Sequence, residues 1–325
     1  MGITMTDTIT IEPPRAKGAS APRAPRRHTR PRWEEPPTAV GQTAKGLTLG
    51  GFLLVILVPL WIIVVTSLST PGTINRAGGL VIWPEGLSFE VYREMLADPT
   101  VRTALVVSLG ITIIGTAISM AVSILCAYGL SRSRSVGHRF LLTLLIITMF
   151  VSGGLIPTFL VVTGLGGYDE WWALILPSAV SVFNILVLRS FYQQTSADLI
   201  EAARIDGAGE WRVLWSIVLP TSRAVTAVTA LFYAVGYWNS FFNVMLYMPT
   251  DSEKWPLQYV LYTYVNRGNG MPGSLNAGFG NAHTETAPLA LQMAVVVLTL
   301  IPLLIVYPFV QKHFRTGVLT GAVKG

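Results

Sequence analysis

The stretch YWNSFFN places Trp238, Asn239, Phe242 and Asn243 within two turns of a predicted helix. On one continuous helix Asn239 and Asn243, four residues apart, share a face. Phe242 lies beside them and Trp238 borders that stripe. A carboxamide both donates and accepts hydrogen bonds, and an aromatic ring can stack on a C–H face. Together these are the groups a saccharide site uses. The same two amides could instead tie helices together, at about 0.6–2 kcal/mol per contact inside a membrane. Asn184 and Gln292 offer the same chemistry singly.

Bond-making chemistry has no such constellation. No G-x-x-x-x-G-K-[ST] phosphate loop occurs, and no glycine is followed by a lysine. HExxH, CxxC and GxSxG are absent as well. His28, His138, His283 and His313 are scattered over tails and loops, and Cys126 is the single cysteine. The reading is therefore a non-enzyme with no catalytic residue, no metal site and no cofactor bound by this chain.

A second stretch, EAARIDGAGEWRVLWSIVLP from Glu201 to Pro220, carries a different pattern. Thr195 and Asp198 ahead of it have capping-box spacing, and LIEAAR is rich in good helix formers. Asp206-Gly207 signals a turn. Trp211, Leu214, Trp215 and Val218 then recur at i, i+3, i+4 and i+7, which predicts a second helix with one apolar face. Pro220 is expected to open the next helix, where its missing N–H is harmless. The product is a helix–turn–helix elbow. Periodicity leaves two readings level: a helix packed on its own bundle, or a plug entering a groove on a partner. In the second, Gly207 would let the partner approach the backbone closely.

The elements that position these residues are membrane helices. The chain is 51% hydrophobic and 12% charged, where a soluble protein carries about 25% charged residues. Its mean hydropathy is +0.54. The apolar residues gather in blocks near the length of about 20 residues that crosses a bilayer. Six spans are predicted, at Leu47–Leu68, Ala104–Leu130, Phe140–Val162, Trp172–Leu188, Val225–Met248 and Ala287–Val310. The fold class is all-α membrane protein, with the elbow between spans four and five. Of the 23 Lys and Arg residues, 18 fall in the N-terminal tail, the second and fourth loops and the C-terminal tail, against 5 in the other loops. The first set should face the cytoplasm. Both termini and the elbow are then cytoplasmic, in a multi-pass cell-membrane protein. Topology and anionic lipid account for the net charge of +6 without a nucleic-acid partner.

Three regions follow: residues 1–46, a disordered basic tail with seven prolines; 47–310, the six-span domain; and 311–325, a cytoplasmic tail. In the first external loop, SFEVYREML starts at a good N-cap, Ser88, and Phe89, Tyr92 and Leu96 repeat at helical spacing. A short amphipathic helix on the outer membrane surface is expected there. The fifth loop, about 249–286, is long and rich in Gly and Asn, and faces outward where a delivery partner could dock.

The stretch from Glu201 resembles the EAA motif of ABC importer permeases. Glu201, Ala202, Ala203, Gly207, Ile217, Leu219 and Pro220 all fall in register with it. The resemblance extends over roughly residues 47–325, through YREML, SLGITIIGTAISM, AYGLSRSRSVGHRF, IPTFLVVTGLGGYDEWWALILPSAVSVFNILVLRSFY and YPFVQKHFRTGVLTGAVKG. It is nearest to the maltose-type second permease of the carbohydrate branch, in the subgroup for oligosaccharides or polysaccharide fragments. It implies pairing with a second permease, two ATP-binding subunits that consume ATP and Mg, and an extracellular solute-binding protein that delivers the sugar. It makes Glu201, Ala202, Ala203, Asp206, Gly207, Trp211, Leu219 and Pro220 the ATPase-coupling segment. The substrate-pathway candidates stay those read from the residues: Trp238, Asn239, Phe242, Asn243, Asn184 and Gln292. A permease of this kind for a non-sugar solute is the nearer alternative. A stand-alone channel or secondary transporter is the further one, and it has no use for the elbow.

Overall fold

The computed structural model describes residues 38–133, 136–195, 197–267 and 288–321, the last stretch by backbone alone beyond residue 308. It divides into units Met1–Val55 and Ile56–Gly325. The described part of the first is the beginning of α1 (Ala39–Ser67). The remaining helices are α2 (Pro71–Arg76), α3 (Glu90–Ala97), α4 (Pro99–Ser131), α5 (His138–Phe150), α6 (Leu155–Gly164), α7 (Trp172–Ile175), α8 (Val182–Gln193), α9 (Ala197–Ile205), α10 (Glu210–Val213), α11 (Leu219–Thr221), α12 (Arg223–Trp238), α13 (Phe241–Tyr247), α14 (Leu257–Arg267) and α15 (Pro288–Gly321). Among the described residues there is no strand.

Three stretches are long and apolar enough to cross a membrane unbroken: α1, α4 and Leu289–Pro308 of α15. Three further pairs qualify only together, each bent at a short break. They are α5 with α6 (112°), Trp172–Ser178 with α8 (50°), and Glu210–Thr221 with α12 (86°). The continuous third, fourth and fifth spans expected from hydropathy are therefore interrupted. In the third, Val151–Gly154 leaves the helix, and Gly154 takes φ +83°, a conformation natural only to glycine. In the fourth, Pro177 sits in a 3-10 turn, Leu176–Ser178. In the fifth, α12 stops at Trp238 and α13 begins at Phe241. Nor does Pro220 open the membrane helix. It lies in α11, and the 86° bend follows it at Ser222.

The fourth-span break is held by two tyrosines of α12. The Tyr237 hydroxyl donates to the Ile175 carbonyl (3.1 Å), and the Ser181 N–H donates to the Tyr233 hydroxyl (3.1 Å). Each tyrosine is also bonded to α4, through Ser119 (2.8 Å) and Ser123 (2.7 Å). Backbone groups freed at membrane depth need such internal partners. Tyr237 reaches because α4 carries no side chain at Gly115, whose ideal Cβ would stand 2.9 Å from the Tyr237 ring.

Two apolar cores result. The larger joins α3, α4, α12, α13, α14 and α15 through residues such as Met95, Val101, Tyr237, Val244, Val260 and Ala294. The smaller gathers Ala127 and Leu130 of α4, Ile185 and Leu188 of α8, and Val213, Leu214 and Val218 beyond Glu210. Helix α3 joins the larger core through Val91 and Met95, while Phe89 and Leu96 stay exposed. It packs on the bundle instead of lying free in the interface. Its N-cap is Phe89, not Ser88, whose hydroxyl accepts the Glu90 N–H at 3.3 Å. Much of the segment read as an outer loop is helix α14, packed in the same core; residues 268–287 lie outside the described residues. The C-terminal backbone is helical to Gly321 rather than leaving the helix near Val310.

Candidate functional site

Helix α9 ends in a Schellman arrangement. The Ala208 N–H donates to the Ala203 carbonyl (2.9 Å) and the Gly207 N–H to the Arg204 carbonyl (3.0 Å). This geometry needs a residue with positive φ at C′, and Gly207 supplies it at +80°. Nothing lies within 4 Å of where a Gly207 Cβ would stand. The corner is open on the side the sequence reading reserved for a partner. The capping box at Thr195 and Asp198 lies partly outside the described residues.

Helix α10 leads into a π-turn over Leu214–Val218, then into α11. Val213, Leu214 and Val218 are buried, whereas Trp211 and Trp215 are 64% and 62% exposed. The apolar stripe expected from Trp211, Leu214, Trp215 and Val218 is thus split. Residues 213, 214 and 218 fit the pocket between α4 and α8, and that turns both tryptophans outward. Leu199 (53%) and Ile205 (82%) of α9 are exposed as well. Glu201, Ala202, Asp206 and Pro220 are exposed too, and Ala203 and Leu219 pack partly on the core. One face of the stretch is packed on the bundle and another is bare.

Glu210 links the two arms of the corner and the end of α4. Its Oε1 accepts from Arg204 Nη2 at 2.6 Å, across the Gly207 turn. Its Oε2 accepts from the Tyr128 hydroxyl at 2.5 Å. Arg132 donates to that hydroxyl (2.7 Å), stacks over the Tyr128 ring (4.8 Å), and stands 3.6 Å from Oε2. The Tyr128 hydrogen bond, with both arginines and against partial burial, holds the Glu210 carboxyl below the usual carboxylate range. A cleft of about 900 Å³ opens beside this cluster, lined among others by Arg132, Gln193, Glu201, Arg204 and Glu210.

The sugar-type residues are dispersed by the break after α12. Asn239 and Asn243 do not share a helix face, because Asn239 and Ser240 have left the helix. The break is stabilised locally: Asn239 Nδ2 donates to the Val235 carbonyl (3.0 Å), and the Phe241 N–H donates to the Asn239 carbonyl (2.9 Å). Trp238 is 4% exposed and its indole N–H donates to the Thr299 carbonyl of α15 (3.1 Å); it ties two helices. Asn184 is buried at the start of α8, and Gln292 is half-buried on α15. What the break assembles instead is Asn239, whose Oδ1 accepts from Gln258 Nε2 of α14 (3.4 Å), beside Phe241 stacked on Tyr262 (5.2 Å). Phe242 is 44% exposed next to them. Gln258, Phe241 and Tyr262 were missed from the sequence, although Leu257, Val260 and Leu261 have helical spacing that marks α14.

The sequence pattern of the family described as binding-protein-dependent transport system inner membrane component matches residues 114–320. The chain is 42% identical over 275 residues to the polygalacturonan/rhamnogalacturonan transport system permease protein YtcP of Bacillus subtilis, covering 84% of this chain and 94% of that relative. It is 41% identical over 281 residues to protein LplC of the same organism, covering 86% and 93%. The crystal structure of a bacterial ABC transporter involved in the import of the acidic polysaccharide alginate contains a chain that superimposes with a TM-score of 0.77. That chain is 29% identical, with 85% of this chain and 96% of that one covered.

Proposed function

The chain belongs to the family of binding-protein-dependent transport system inner membrane components, and on that premise we propose that it imports oligosaccharide fragments of acidic polysaccharides. It is a permease subunit of an ATP-driven importer, and ATP hydrolysis belongs to a separate subunit. In this reading the first two bent pairs each count as one span, the third crosses by α12 alone, residues 197–221 form a cytoplasmic elbow, and both termini are cytoplasmic. Residues 1–46 and the chain's C-terminal end extend the six-span domain on that side.

The observation that carries the reading is the elbow's two faces. A stretch that keeps Leu199, Ile205, Trp211 and Trp215 exposed around an unobstructed glycine corner has the shape of a plug for a groove. The partners are then two ATPase subunits at the elbows, a second permease completing the pathway, and an extracellular solute-binding protein. ATP binding closes the ATPases, the elbows follow, and the pathway opens outward to receive cargo. Asn239, Phe242, Asn243, Asn184 and Gln292, with Gln258 added, are the polar and aromatic groups proposed to meet it. Asn239 and Gln258 support this most directly, because amides beside a broken helix are favoured at membrane depth where they line a wet cavity. The relatives' acidic polysaccharides supply the cargo class. No Lys, Arg, Asp or Glu stands in the pathway set, so sugar carboxylates would be met by the second permease.

The test is purification of the tagged chain from its native membrane in mild detergent, with mass spectrometry of what accompanies it. A second permease, an ATPase and a binding protein are expected, and the binding protein is then titrated with oligogalacturonates and neutral oligosaccharides. A chain recovered alone that moves solute in liposomes without ATP would overturn the importer; a binding protein that takes only neutral or non-sugar ligands would overturn the cargo.

A further inference from the structure

We propose that Tyr128 and Glu210 are positioning residues that lock the elbow to the C-terminal end of α4, so that the two move as one body. This rests on the reading of the elbow as the part that an ATPase drives. A driven elbow must carry a membrane helix with it to move the pathway. The apolar contact between them, Ala127 and Leu130 against Val213 and Leu214, resists separation but has no preferred direction. It would tolerate sliding.

The polar groups above it are directional. The Tyr128 hydroxyl of α4 lies 2.5 Å from Glu210 Oε2 and 3.3 Å from the Glu210 carbonyl. The other carboxylate oxygen is held by Arg204 at 2.6 Å, on the far side of the Gly207 turn. One side chain thus joins α9, α10 and α4. Arg132 closes the set from α4's end, donating to Tyr128 and stacking on its ring. Arg189 of α8 donates to the Leu130 carbonyl at 2.8 Å and fixes the same terminus. The Glu210 side chain is 55% exposed, and ion pairs of that kind add little stability. The value of the cluster is therefore orientation. The Tyr128 ring packs partly on the smaller core, so it is the hydroxyl, which the core does not use, that carries the latch, and Tyr128→Phe removes it while keeping the ring.

The experiment uses the assembled transporter in nanodiscs. Spin labels replace Val106→Cys, on the exposed outer part of α4, and Ser216→Cys on the elbow, in a Cys126→Ser background. Twenty-two residues of α4 separate Val106 from Tyr128, about 33 Å of helix, so the pair is far enough apart for pulsed distance measurement. With the latch intact, the distance distribution stays narrow and shifts by less than about 2 Å between nucleotide-free and ATP–vanadate states, within the range of small helix adjustments. In Tyr128→Phe and in Glu210→Gln it is expected to broaden, or to shift by about 5 Å, one helical turn, with ATP–vanadate. The double variant should be no worse than the more damaging single, as for two members of one unit. A wild-type distance that itself jumps with nucleotide overturns the latch, and so do variants that keep the wild-type distribution. Failure of an ATPase to co-purify defeats the importer reading instead. In that case the nucleotide-free distributions of wild type and variants alone decide the latch.

Discussion

At the scale of single residues, Gly207 has two reasons to be glycine. Its positive φ closes the Schellman turn of α9, and its missing side chain leaves the corner bare. The two are separable. A side chain there meets nothing of this chain within 4 Å, so its internal cost is the left-handed backbone alone, about 1–2 kcal/mol. Asn tolerates that conformation better than most residues. Gly207→Asn should keep the fold with little loss, whereas Gly207→Asp adds a charge to a surface meant for a partner. Gly207→Asp is expected to insert and fold but to lose most ATP-driven uptake, with its ATPase no longer co-purifying. Normal uptake by this variant would count heavily against the elbow as a plug.

At the scale of elements, α12 ties together parts of the fold that hydropathy treats as separate spans. Its tyrosines staple the fourth-span break to α4, and its terminal tryptophan bonds α15. Gly115→Ala places a methyl group 2.9 Å from three atoms of the Tyr237 ring. The ring is buried and bonded at its hydroxyl, so it has little freedom to yield. Overpacking of this kind costs about 1–3 kcal/mol, and a lower unfolding midpoint in detergent is expected; an unchanged midpoint would show that the ring moves freely. Trp238→Phe removes one interhelical hydrogen bond to the Thr299 carbonyl. Such bonds average about 0.6 kcal/mol in membranes, so this loss should be smaller than that of Gly115→Ala. The contrast also explains what the sequence made legible. Apolar blocks marked the helices long enough to cross a membrane and Asp206-Gly207 marked the turn after α9, because those signals are local. The break at Pro177 depends on Tyr233 and Tyr237, far along the chain, and those at Gly154 and Asn239 on short local bonds that an apolar average does not register. The tryptophans of the elbow turned outward because α4 and α8 accept only Val213, Leu214 and Val218. Gln258 stayed hidden because its helix lies in a stretch whose Gly- and Asn-rich continuation reads as loop.

At the scale of the whole molecule, the count of crossings decides which surfaces meet which side. Three unbroken helices and three bent pairs give six crossings only if every pair traverses the bilayer. The 112° turn between α5 and α6 is the sharpest, and no residue of α5 is buried within this chain. A re-entrant α5–α6 would leave Ser133 and Glu170 on one side, whereas a crossing separates them. The excess of 18 against 5 basic residues favours separation, since it puts the Ser133 loop inside and the acidic Glu170 loop outside. Single cysteines at Ser133→Cys, Glu170→Cys and Glu253→Cys, all exposed positions, in a Cys126→Ser chain, measure this directly. A membrane-impermeant maleimide added to intact cells should label the second and third and spare the first until the membrane is permeabilised. Labelling of all three positions, or of none, would make α5–α6 re-entrant, because Ser133, Glu170 and Glu253 would then share one side. The crossings would then number five, the elbow would lie opposite Ser133, and Tyr128 could not reach Glu210. The hydrogen bond between those two residues, at 2.5 Å, is thus a constraint on topology as well as on coupling, because it requires the ends of α4 and the elbow to share one face of the membrane.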